Sequence, residues 1–369
     1  MRVLASPALI NRWLNPYNWL LNTHLERQAV DIVGAAPWRL LRGQGDVCHL
    51  HWPDHMFNQR SAARAALGSR ALLHMLGEAR RHGTRIVWTV HNLRAHDGLH
   101  PALERAFWPE FLSLVDGAIH LSRAGREAAE AQFPQLAERR AWIIPHGHYR
   151  SEYVPTRNRD DARAARGLSD AEAVVLFSGR IRPYKNVPAL LRAFREYDNA
   201  DARCLVTGAP ASRELRQELQ AFGQSDPRVR LELQHLRRAD LANALTASDL
   251  VVLPYREILN SGSALLALSL DRPVLVPRRG ALAELADAVG AQWVRCYDGE
   301  LTGEMLRDAI SWAREIPRRA RAPLGQFGWT SIARAHRDAY AALCEHDGAN
   351  AVPRVGLVPS VPAIVAVAQ

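Results

Sequence analysis

The chain has 369 residues, of which 48% are hydrophobic and 23% are charged, so it carries enough apolar surface for packed cores and is not a disordered chain. This length is typical of two domains of ordinary size. The net charge of +9 favours an anionic partner, such as nucleic acid, an acidic membrane surface or a phosphorylated ligand.

The sequence disfavours a secreted protein and a membrane-spanning protein, because it lacks the corresponding targeting segments and cysteine spacing. The first residues lack the apolar core and cleavage site of a secretion signal, and no run approaches the ~20 apolar residues of a membrane-spanning helix. The four cysteines lie far apart without metal-ligand spacing, which favours reduced thiols in a cytoplasmic protein. Any contact with a membrane is therefore expected to be peripheral.

The first half of the chain alternates apolar strands with helices. The predicted strands are residues 3–5, 46–51, 85–90, 117–121 and 142–145. Asn15-Pro16 predicts the start of a helix that reaches Arg27, and Ser122 predicts the cap of a helix over 123–132. Residues 61–82 form an amphipathic helix whose apolar side carries Leu67, Leu72, Leu73 and Leu76. This alternation indicates a doubly wound parallel sheet.

The second half repeats the pattern after a polar segment, 151–172, that we interpret as a linker. Its predicted strands are residues 174–177, 203–207, 229–233, 250–253 and 273–276. Helices are expected at 187–197, 212–222, 239–247, 263–269, 281–289 and 330–344. The predicted domains are residues 1–155 and 156–328, followed by a helix over 329–345 and a disordered tail over 346–369.

Two loops at the ends of second-half strands carry the residues of an anion site. Gly179, Arg180 and Lys185, the only lysine in the chain, precede one helix. The second loop runs into an apolar helix and contains Tyr255, Asn260, Ser261, Gly262 and Ser263. A helix N-terminus offers free N–H groups and partial positive charge, so each loop alone suits a phosphate. Because ligands of such sheets bind at the carboxyl ends of the strands, the pair predicts a diphosphate site.

Histidines follow three strands of the first half. His49 and His51 end one strand, His91 follows the next, and His146 follows the last. Their spacing lacks a metal-binding motif such as HExxH, so we predict a site lined with acid–base groups and no metal site. Asp97 lies a few residues after His91 and is a second candidate acid–base group.

The two second-half loops resemble those of the family 4-like group of GT-B glycosyltransferases. The segment FSGRIRPYKNVPALLRAF resembles its G-R-x-x-x-x-K-(G/N) turn, and ASDLVVLPYREILNSGSALLALSLDRPVLVP resembles its donor loop. The resemblance implies two Rossmann-like domains with a cleft between them and a C-terminal helix, near Trp329, that crosses back to the first domain. The first half matches more loosely, through HLHWPD, WTVHNLRAHD and IIPHGHY.

By position, this resemblance implies roles for individual residues. Arg180 and Lys185 would neutralise the diphosphate of a nucleotide-sugar, and the Ser261–Ser263 loop would donate hydrogen bonds to it. Glu257 would lie near the donor sugar or ribose. Retaining members usually carry a second Glu farther along the loop, where this chain has Leu265 and Leu266, so we expect inversion.

A narrower resemblance, through HWPD and the Ser-Gly-Ser loop, is to the family 94 β-mannosyltransferases of xanthan-type exopolysaccharide assembly. It implies transfer of mannose from GDP-mannose to a lipid-linked oligosaccharide at the inner face of the cell membrane. Asp97 or His91 would be the general base, and no divalent metal or other cofactor is expected. Trp13, Trp52 and His146 are the predicted acceptor-binding residues, since aromatic side chains stack on sugars and partition to membrane interfaces.

Three alternatives remain open at this stage. A nucleotide-sugar 2-epimerase is also built from two Rossmann-like halves, and a non-catalytic nucleotide-sugar-binding protein would need the same donor loops. Binding of nucleic acid through the basic surface is the third, but no helix-turn-helix, zinc or RNP-like motif supports it.

Overall fold

The computed structural model describes residues 1–10, 12–13, 15–95, 98–317 and 320–345. The chain divides into two compact units, the first formed by Met1–His146 with the segment that begins at Trp329, and the second by Gly147–Gly328. The first unit thus ends before the predicted boundary at residue 155. The predicted disorder of residues 346–369 concerns a segment outside the described residues.

The first unit is built on a parallel sheet of six strands in the order β2-β1-β3-β4-β5-β6. The strands are β1 (Arg2–Ser6), β2 (Asp31–Gly34), β3 (Val47–Leu50), β4 (Arg85–Val90), β5 (Gly117–His120) and β6 (Arg140–Ile143). Every residue of β3 and β5 is buried, as expected for strands that helices cover on both faces. Chain order reverses between β1 and β3, which makes the carboxyl edge there a natural ligand site.

The helices of the first unit include the last helix of the chain. They are α1 (Tyr17–Glu26), α2 (Pro37–Leu41), α3 (Ala62–Arg81), α4 (Pro101–Leu114), α5 (Arg123–Gln132) and, far later in sequence, α13 (Trp329–Cys344). The predicted caps form, since Asn15 Oδ1 accepts from the Tyr17 N–H at 3.1 Å and Ser122 Oγ accepts from the Gly125 N–H at 2.9 Å. Helix α13 packs against α1, so the C-terminal helix returns to the first unit.

The second unit has its own six-stranded parallel sheet, in the order β12-β11-β10-β7-β8-β9. The strands are β7 (Ala173–Ser178), β8 (Ala202–Thr207), β9 (Val229–Glu232), β10 (Leu250–Val252), β11 (Val274–Pro277) and β12 (Val294–Tyr297). The helices are α6 (Arg159–Ala164), α7 (Val187–Glu196), α8 (Arg213–Ser225), α9 (Arg238–Ala247), α10 (Gly262–Ser269), α11 (Gly280–Val289) and α12 (Gly303–Glu315). Chain order reverses between β7 and β10.

Some elements differ from the sequence expectation. The sequence did not predict β2, β12, α2, α4 or α12, and the segment interpreted as a linker contains α6. The whole of this segment belongs to the second unit. Leu67, assigned to the apolar side of its helix, is 72% exposed, whereas Leu72 and Leu76 are buried as predicted.

Candidate functional site

The candidate anion site of the second unit lies where its strand order reverses. Strands β7 and β10 are neighbours, with Val175 opposite Leu250 and Leu176 opposite Val251. Because the strands are parallel, the loops that follow them leave the same edge of the sheet. These are the two loops that the sequence singled out, one beginning at Gly179 and the other reaching Ser263.

The two loops meet at Gly179. This residue has a φ of +125°, a backbone conformation that residues with a side chain rarely adopt. A Cβ built there would lie 3.2 Å from Lys185 Nζ and 3.2 Å from Ser263 Oγ. Gly179 therefore leaves open a small space that an ammonium group borders on one side and a hydroxyl on the other.

Gly208, which the sequence analysis missed, makes this turn sterically feasible. It follows β8, has a φ of +141°, and a Cβ there would lie 2.0 Å from the Gly179 carbonyl oxygen. Beyond Gly179 and Gly208 the two backbone segments remain hydrogen-bonded to each other, since the Ile181 N–H donates to the Ala209 carbonyl at 3.0 Å. A glycine directly after a strand, at the carboxyl edge of the sheet, was the signal that could have revealed it.

The ammonium group of Lys185 is only partly accessible to water. Burial lowers the pKa of its ammonium group from 10.5; Tyr184 opposes this shift, whereas Arg182 and Arg180 add to it. The Nζ atom lies 5.5 Å from the ring centroid of Tyr255, whose own burial raises its pKa to about 12. An anion beside Lys185 would favour its charged form, which burial and the neighbouring arginines disfavour.

Helix α10 directs its N-terminus into the same space. Ser261 Oγ caps the helix by accepting from the Ala264 N–H at 3.1 Å, and Asn260 precedes it in the loop. Gly262 and Ser263 form the first turn, whose N–H groups have no partner within the helix. An anion near Gly179 would thus meet a cation, a hydroxyl and the positive end of a helix dipole.

Exposed charged side chains follow several strands at this edge of the sheet. Arg180 and Glu257 are both exposed. Arg279, which the sequence analysis did not select, follows β11 and donates from Nη1 to the Arg256 carbonyl at 2.8 Å. Its presence at the end of the neighbouring strand adds positive charge to the edge of the sheet that holds both loops.

A cluster of aromatic and histidine rings lies in the first unit. Tyr17 is fully buried, and four rings surround it within 4.7 to 5.5 Å of its centroid, namely His51, His91, His146 and Trp329. Trp52 stacks on His91 with centroids 4.6 Å apart. The histidines predicted after three different strands are therefore brought together, along with the predicted acceptor residues Trp52 and His146.

Hydrogen bonds link several of these rings. Nδ1 of His51 lies 3.0 Å from Nε2 of His91. His49 is held at both nitrogens, with Nε2 2.7 Å from Thr89 Oγ1 and Nδ1 2.7 Å from the Tyr340 hydroxyl. Tyr340 comes from α13, and the sequence analysis missed it because α13 is distant in sequence.

Three of the histidines in the cluster are neutral at pH 7. Burial is the main cause that lowers the pKa of His49, His51 and His91 well below 6.5, and neighbouring histidines lower it further. Burial also lowers the pKa of His336, on α13, to about 4. Within the described part of the chain, no three His, Cys, Asp or Glu side chains converge in an arrangement that could hold a metal ion.

Two predicted site residues remain, Asp97 and Trp13. Asp97 lies outside the described residues. Trp13 is 77% exposed, in the segment before α1, where the Arg12 guanidinium lies 5.8 Å from its ring and 3.7 Å from that of Trp19. Among the helices that the structure describes, none is long and apolar enough to cross a membrane.

The fold and the second-unit loops together define the class of protein. Sucrose-phosphate synthase from Thermosynechococcus elongatus superimposes with a TM-score of 0.61 at 17% identity, covering 89% of this chain and 78% of that one. Anabaena HepE, solved with UDP and glucose, superimposes with a TM-score of 0.64 at 12% identity, covering 92% and 99%. The architecture is the GT-B fold of glycosyltransferases.

Sequence comparison places the chain more narrowly. The model of the family described as glycosyl transferases group 1 matches residues 172–310, the part that contains both loops. Over 303 residues the chain is 31% identical to a GDP-mannose:glycolipid 4-beta-D-mannosyltransferase of Xanthomonas campestris pv. campestris, covering 82% of this chain and 81% of the relative. The chain belongs to the group 1 glycosyltransferases and is an enzyme of that kind.

Proposed function

We propose that the protein transfers mannose from GDP-mannose to a lipid-linked glycan, with inversion, in the assembly of an exopolysaccharide. The convergence of Lys185, Ser263 and the N-terminus of α10 around Gly179 carries this proposal, since it suits a diphosphate. The choice of donor and acceptor is supported by the relative named for GDP-mannose and a glycolipid.

The chemistry follows from the charge that develops in the transfer. As the acceptor oxygen bonds to the anomeric carbon, negative charge accumulates on the departing diphosphate. Arg180, Lys185 and the first turn of α10 stabilise that charge, and each such contact contributes on the order of 10²-fold in rate. Glu257 orients hydroxyls of the donor. A general base, His91 or Asp97, takes the proton of the acceptor hydroxyl.

Inversion is supported by the absence of a second carboxylate from the described part of the donor loop. Leu265 and Leu266 occupy the region where retaining relatives carry a Glu, and both are buried in α10. A single displacement inverts the anomeric carbon, so an α-linked GDP-mannose yields a β-mannoside. The NMR coupling of the anomeric carbon of the product distinguishes the two outcomes.

The single lysine permits a direct test of the diphosphate site. Apart from the N-terminus, Lys185 is the only amine that an acylating reagent can modify, and its lowered pKa favours reaction. Bound GDP or GDP-mannose should protect it at least tenfold, as measured by intact mass and peptide mapping. Labelling of the N-terminal amine is the internal control. Equal labelling of Lys185 with and without saturating nucleotide would contradict the site.

Donor choice and turnover need a second experiment. GDP and GDP-mannose should raise the melting temperature more than UDP, ADP or their sugars, because a ligand at 100 times its Kd adds about 2.7 kcal/mol to the stability of the folded state. Lys185→Ala should abolish the shift, whereas Arg192→Ala, an exposed cation on α7, should not. Isomerised sugar formed without acceptor would identify an epimerase, and binding without transfer to any lipid-linked glycan would identify a binding protein.

We also propose that catalysis is independent of divalent metal, since protein cations and a helix N-terminus supply the positive charge that a metal supplies elsewhere. The rate of mannosyl transfer should be unchanged after dialysis against EDTA. A rate that falls on dialysis and returns with Mg²⁺ or Mn²⁺ would overturn this part of the proposal.

The acceptor places the enzyme at the inner face of the cell membrane, where it binds peripherally through the segment before α1. Ile10 and Trp13 are 89% and 77% exposed, and Arg12 lies between them. Exposed apolar side chains beside a cation suit an anionic lipid surface. Ile10→Ser with Trp13→Ser should weaken sedimentation with phosphatidylglycerol vesicles several-fold. Val154→Ser, an exposed apolar residue of the second unit, is the control, and equal sedimentation of both variants would refute this contact.

A further inference from the structure

Tyr255 contributes a buried phenol beside the anion site of the second unit. It lies in the loop after β10 and is 3% exposed. The Nζ atom of Lys185 lies over its ring, 5.5 Å from the centroid, and the ring of Tyr184 meets it nearly edge-on with centroids 6.2 Å apart. The ring therefore packs against the ammonium group that borders the space at Gly179.

The hydroxyl of Tyr255 is buried and has no hydrogen-bond partner in the described part of the chain. The hydroxyls of Ser263 and Ser261 are close enough to oppose the rise that burial causes in the pKa of the phenol, but neither meets the geometry of a hydrogen bond with it. A buried O–H group without an acceptor destabilises the folded protein. Any event that brings an acceptor to this hydroxyl is therefore favoured.

Ser263 connects this hydroxyl with the space at Gly179. A Cβ built on Gly179 would lie 3.2 Å from Ser263 Oγ, so the serine oxygen borders that space. Ser261 is engaged elsewhere, because its Oγ caps α10 by accepting from the Ala264 N–H at 3.1 Å. Ser263 is half-buried, whereas the Tyr255 hydroxyl is inaccessible to solvent. A diphosphate in the space would thus reach Ser263 directly and the phenol only through Ser263.

We propose that Tyr255 is a positioning residue that donates a hydrogen bond from its hydroxyl to Oγ of Ser263, which in turn donates a hydrogen bond to an oxygen of the donor diphosphate. The inference rests on the proposed function and adds this relay to its diphosphate site. A serine hydroxyl has one donor and two acceptor positions, and a diphosphate oxygen only accepts, so every donor in the relay has an acceptor. The charge of the diphosphate strengthens both bonds.

The ligand sets the direction of the relay. A hydroxyl rotates about its C–O bond to suit its partners. When the diphosphate takes the hydrogen bond of Ser263, the lone pairs of Ser263 Oγ point away from the ligand and can accept from the phenol. Lys185 supports the same arrangement, since its ammonium group lies against the ring of Tyr255 and borders the space from the other side. The phenol therefore assists binding without touching the ligand.

Tyr255→Phe removes only the hydroxyl and keeps the ring against Lys185. Because that hydroxyl has no partner among the described residues, the variant should not lower the urea midpoint measured without nucleotide. Its affinity for GDP and for inorganic pyrophosphate should nevertheless fall about tenfold, the contribution of one hydrogen bond that acts on a charged group. The KM for GDP-mannose should rise likewise, while the KM for the lipid-linked acceptor stays unchanged. Calorimetric titration and initial rates measure these effects.

Tyr197→Phe is the matched control. Tyr197 is also a buried tyrosine of the second unit, but its hydroxyl accepts from Nδ2 of Asn199 at 2.8 Å. This variant should lower the urea midpoint and keep the pyrophosphate affinity of the wild type. The two tyrosine variants are thus expected to show opposite patterns of stability and affinity. A general loosening of the fold would lower stability and affinity together.

A double-mutant cycle tests whether Tyr255 acts through Ser263. Ser263→Ala should weaken pyrophosphate binding by itself, and adding Tyr255→Phe to it should cost no further affinity because the relay is already broken. Equal affinities of the wild type and Tyr255→Phe would overturn the proposal. Additive losses in the double variant would overturn it as well, since the phenol would then act independently of Ser263.

Pyrophosphate as the probe separates the relay from the choice of donor. Coupling between Tyr255 and Ser263 in an enzyme that uses a different nucleotide-sugar would support the relay and correct the proposed function. Transfer from GDP-mannose with no coupling between these residues would overturn the relay and leave the proposed function standing. A wild-type protein that binds neither GDP nor pyrophosphate would overturn both.

Discussion

Lys185 shows how one residue can make ligand binding depend on pH. Its pKa is lowered from 10.5 by burial, and only the charged form attracts a diphosphate. The affinity for GDP should therefore be constant at neutral pH and should fall as the pH rises through the lowered pKa, below the range of an ordinary lysine. Lys185→Arg keeps its charge throughout. Calorimetric titration between pH 7 and 10 should show a fall in GDP affinity for the wild type only. The same pH dependence of affinity in the wild type and in Lys185→Arg would contradict this prediction.

Gly208 is a residue whose substitution should disturb the site without removing any functional group. In Gly208→Ala the new Cβ meets the Gly179 carbonyl at 2.0 Å and φ is unfavourable at +141°, so we expect a loss of stability of about 3 kcal/mol with weakened GDP binding. Gly290→Ala is the matched control. Its φ is +96° with open space around it, so only the strain of about 1 kcal/mol applies and binding should be retained.

At the level of elements, substitutions at two helix caps distinguish an effect on folding stability from an effect on GDP binding. Ser122 caps α5 and Ser261 caps α10 through equivalent hydrogen bonds, and replacing either with Ala should destabilise its unit by about 1 kcal/mol. Only Ser261→Ala should also weaken GDP binding, because α10 alone contributes its N-terminus to the anion site. Urea denaturation and GDP titration of both variants measure the two effects. Equal affinities would mean that α10 does not contact the diphosphate.

The sequence predicted every central strand and the edge strands β6 and β9, but it missed the edge strands β2 and β12. Strands such as β7 and β3 are buried on both faces, so they read as continuous apolar runs. The strands β2 and β12 lie at the ends of the two sheets and are only partly buried, which weakens the apolar pattern. Helix α4 contains Pro109, a residue that disfavours helix in a sequence pattern, and α6 makes polar contacts, such as the ion pairs from Arg159 and Arg163 to Asp249. Hydrophobic periodicity cannot reveal such elements.

The site was predictable to the extent that its residues are close to one another in sequence. The two second-unit loops follow strands and carry residues that suit anions, so their pairing could be inferred from the order of the elements. Tyr340 and His336 contribute to the first-unit cluster from a helix that begins at Trp329, and only the return of that helix brings them near His49. Nothing in the local pattern of α13 distinguishes them from ordinary core residues.

For the whole molecule, the buried histidines predict a first unit that loses stability in acid. His120 is 1% exposed, neither of its ring nitrogens has a hydrogen-bond partner among the described residues, and burial, with Arg126, lowers its pKa to about 4. Above pH 6.5 this histidine is neutral in both the folded and the unfolded chain, so it does not make stability depend on pH there. As the pH falls towards 4 the unfolded chain binds a proton that the folded chain excludes, so stability falls by about 1.4 kcal/mol per pH unit for each such histidine.

The distribution of tryptophan allows this loss to be assigned to the first unit. Eight of the ten tryptophans lie there, at positions 13, 19, 38, 52, 88, 108, 142 and 329, so their fluorescence reports mainly its unfolding. The urea midpoint should fall steadily from pH 7 to 5. His120→Leu should flatten this dependence with little loss at pH 7, because it replaces an unpaired buried polar ring with an apolar side chain. A midpoint that stays level in the wild type would mean that the buried rings accept protons without unfolding.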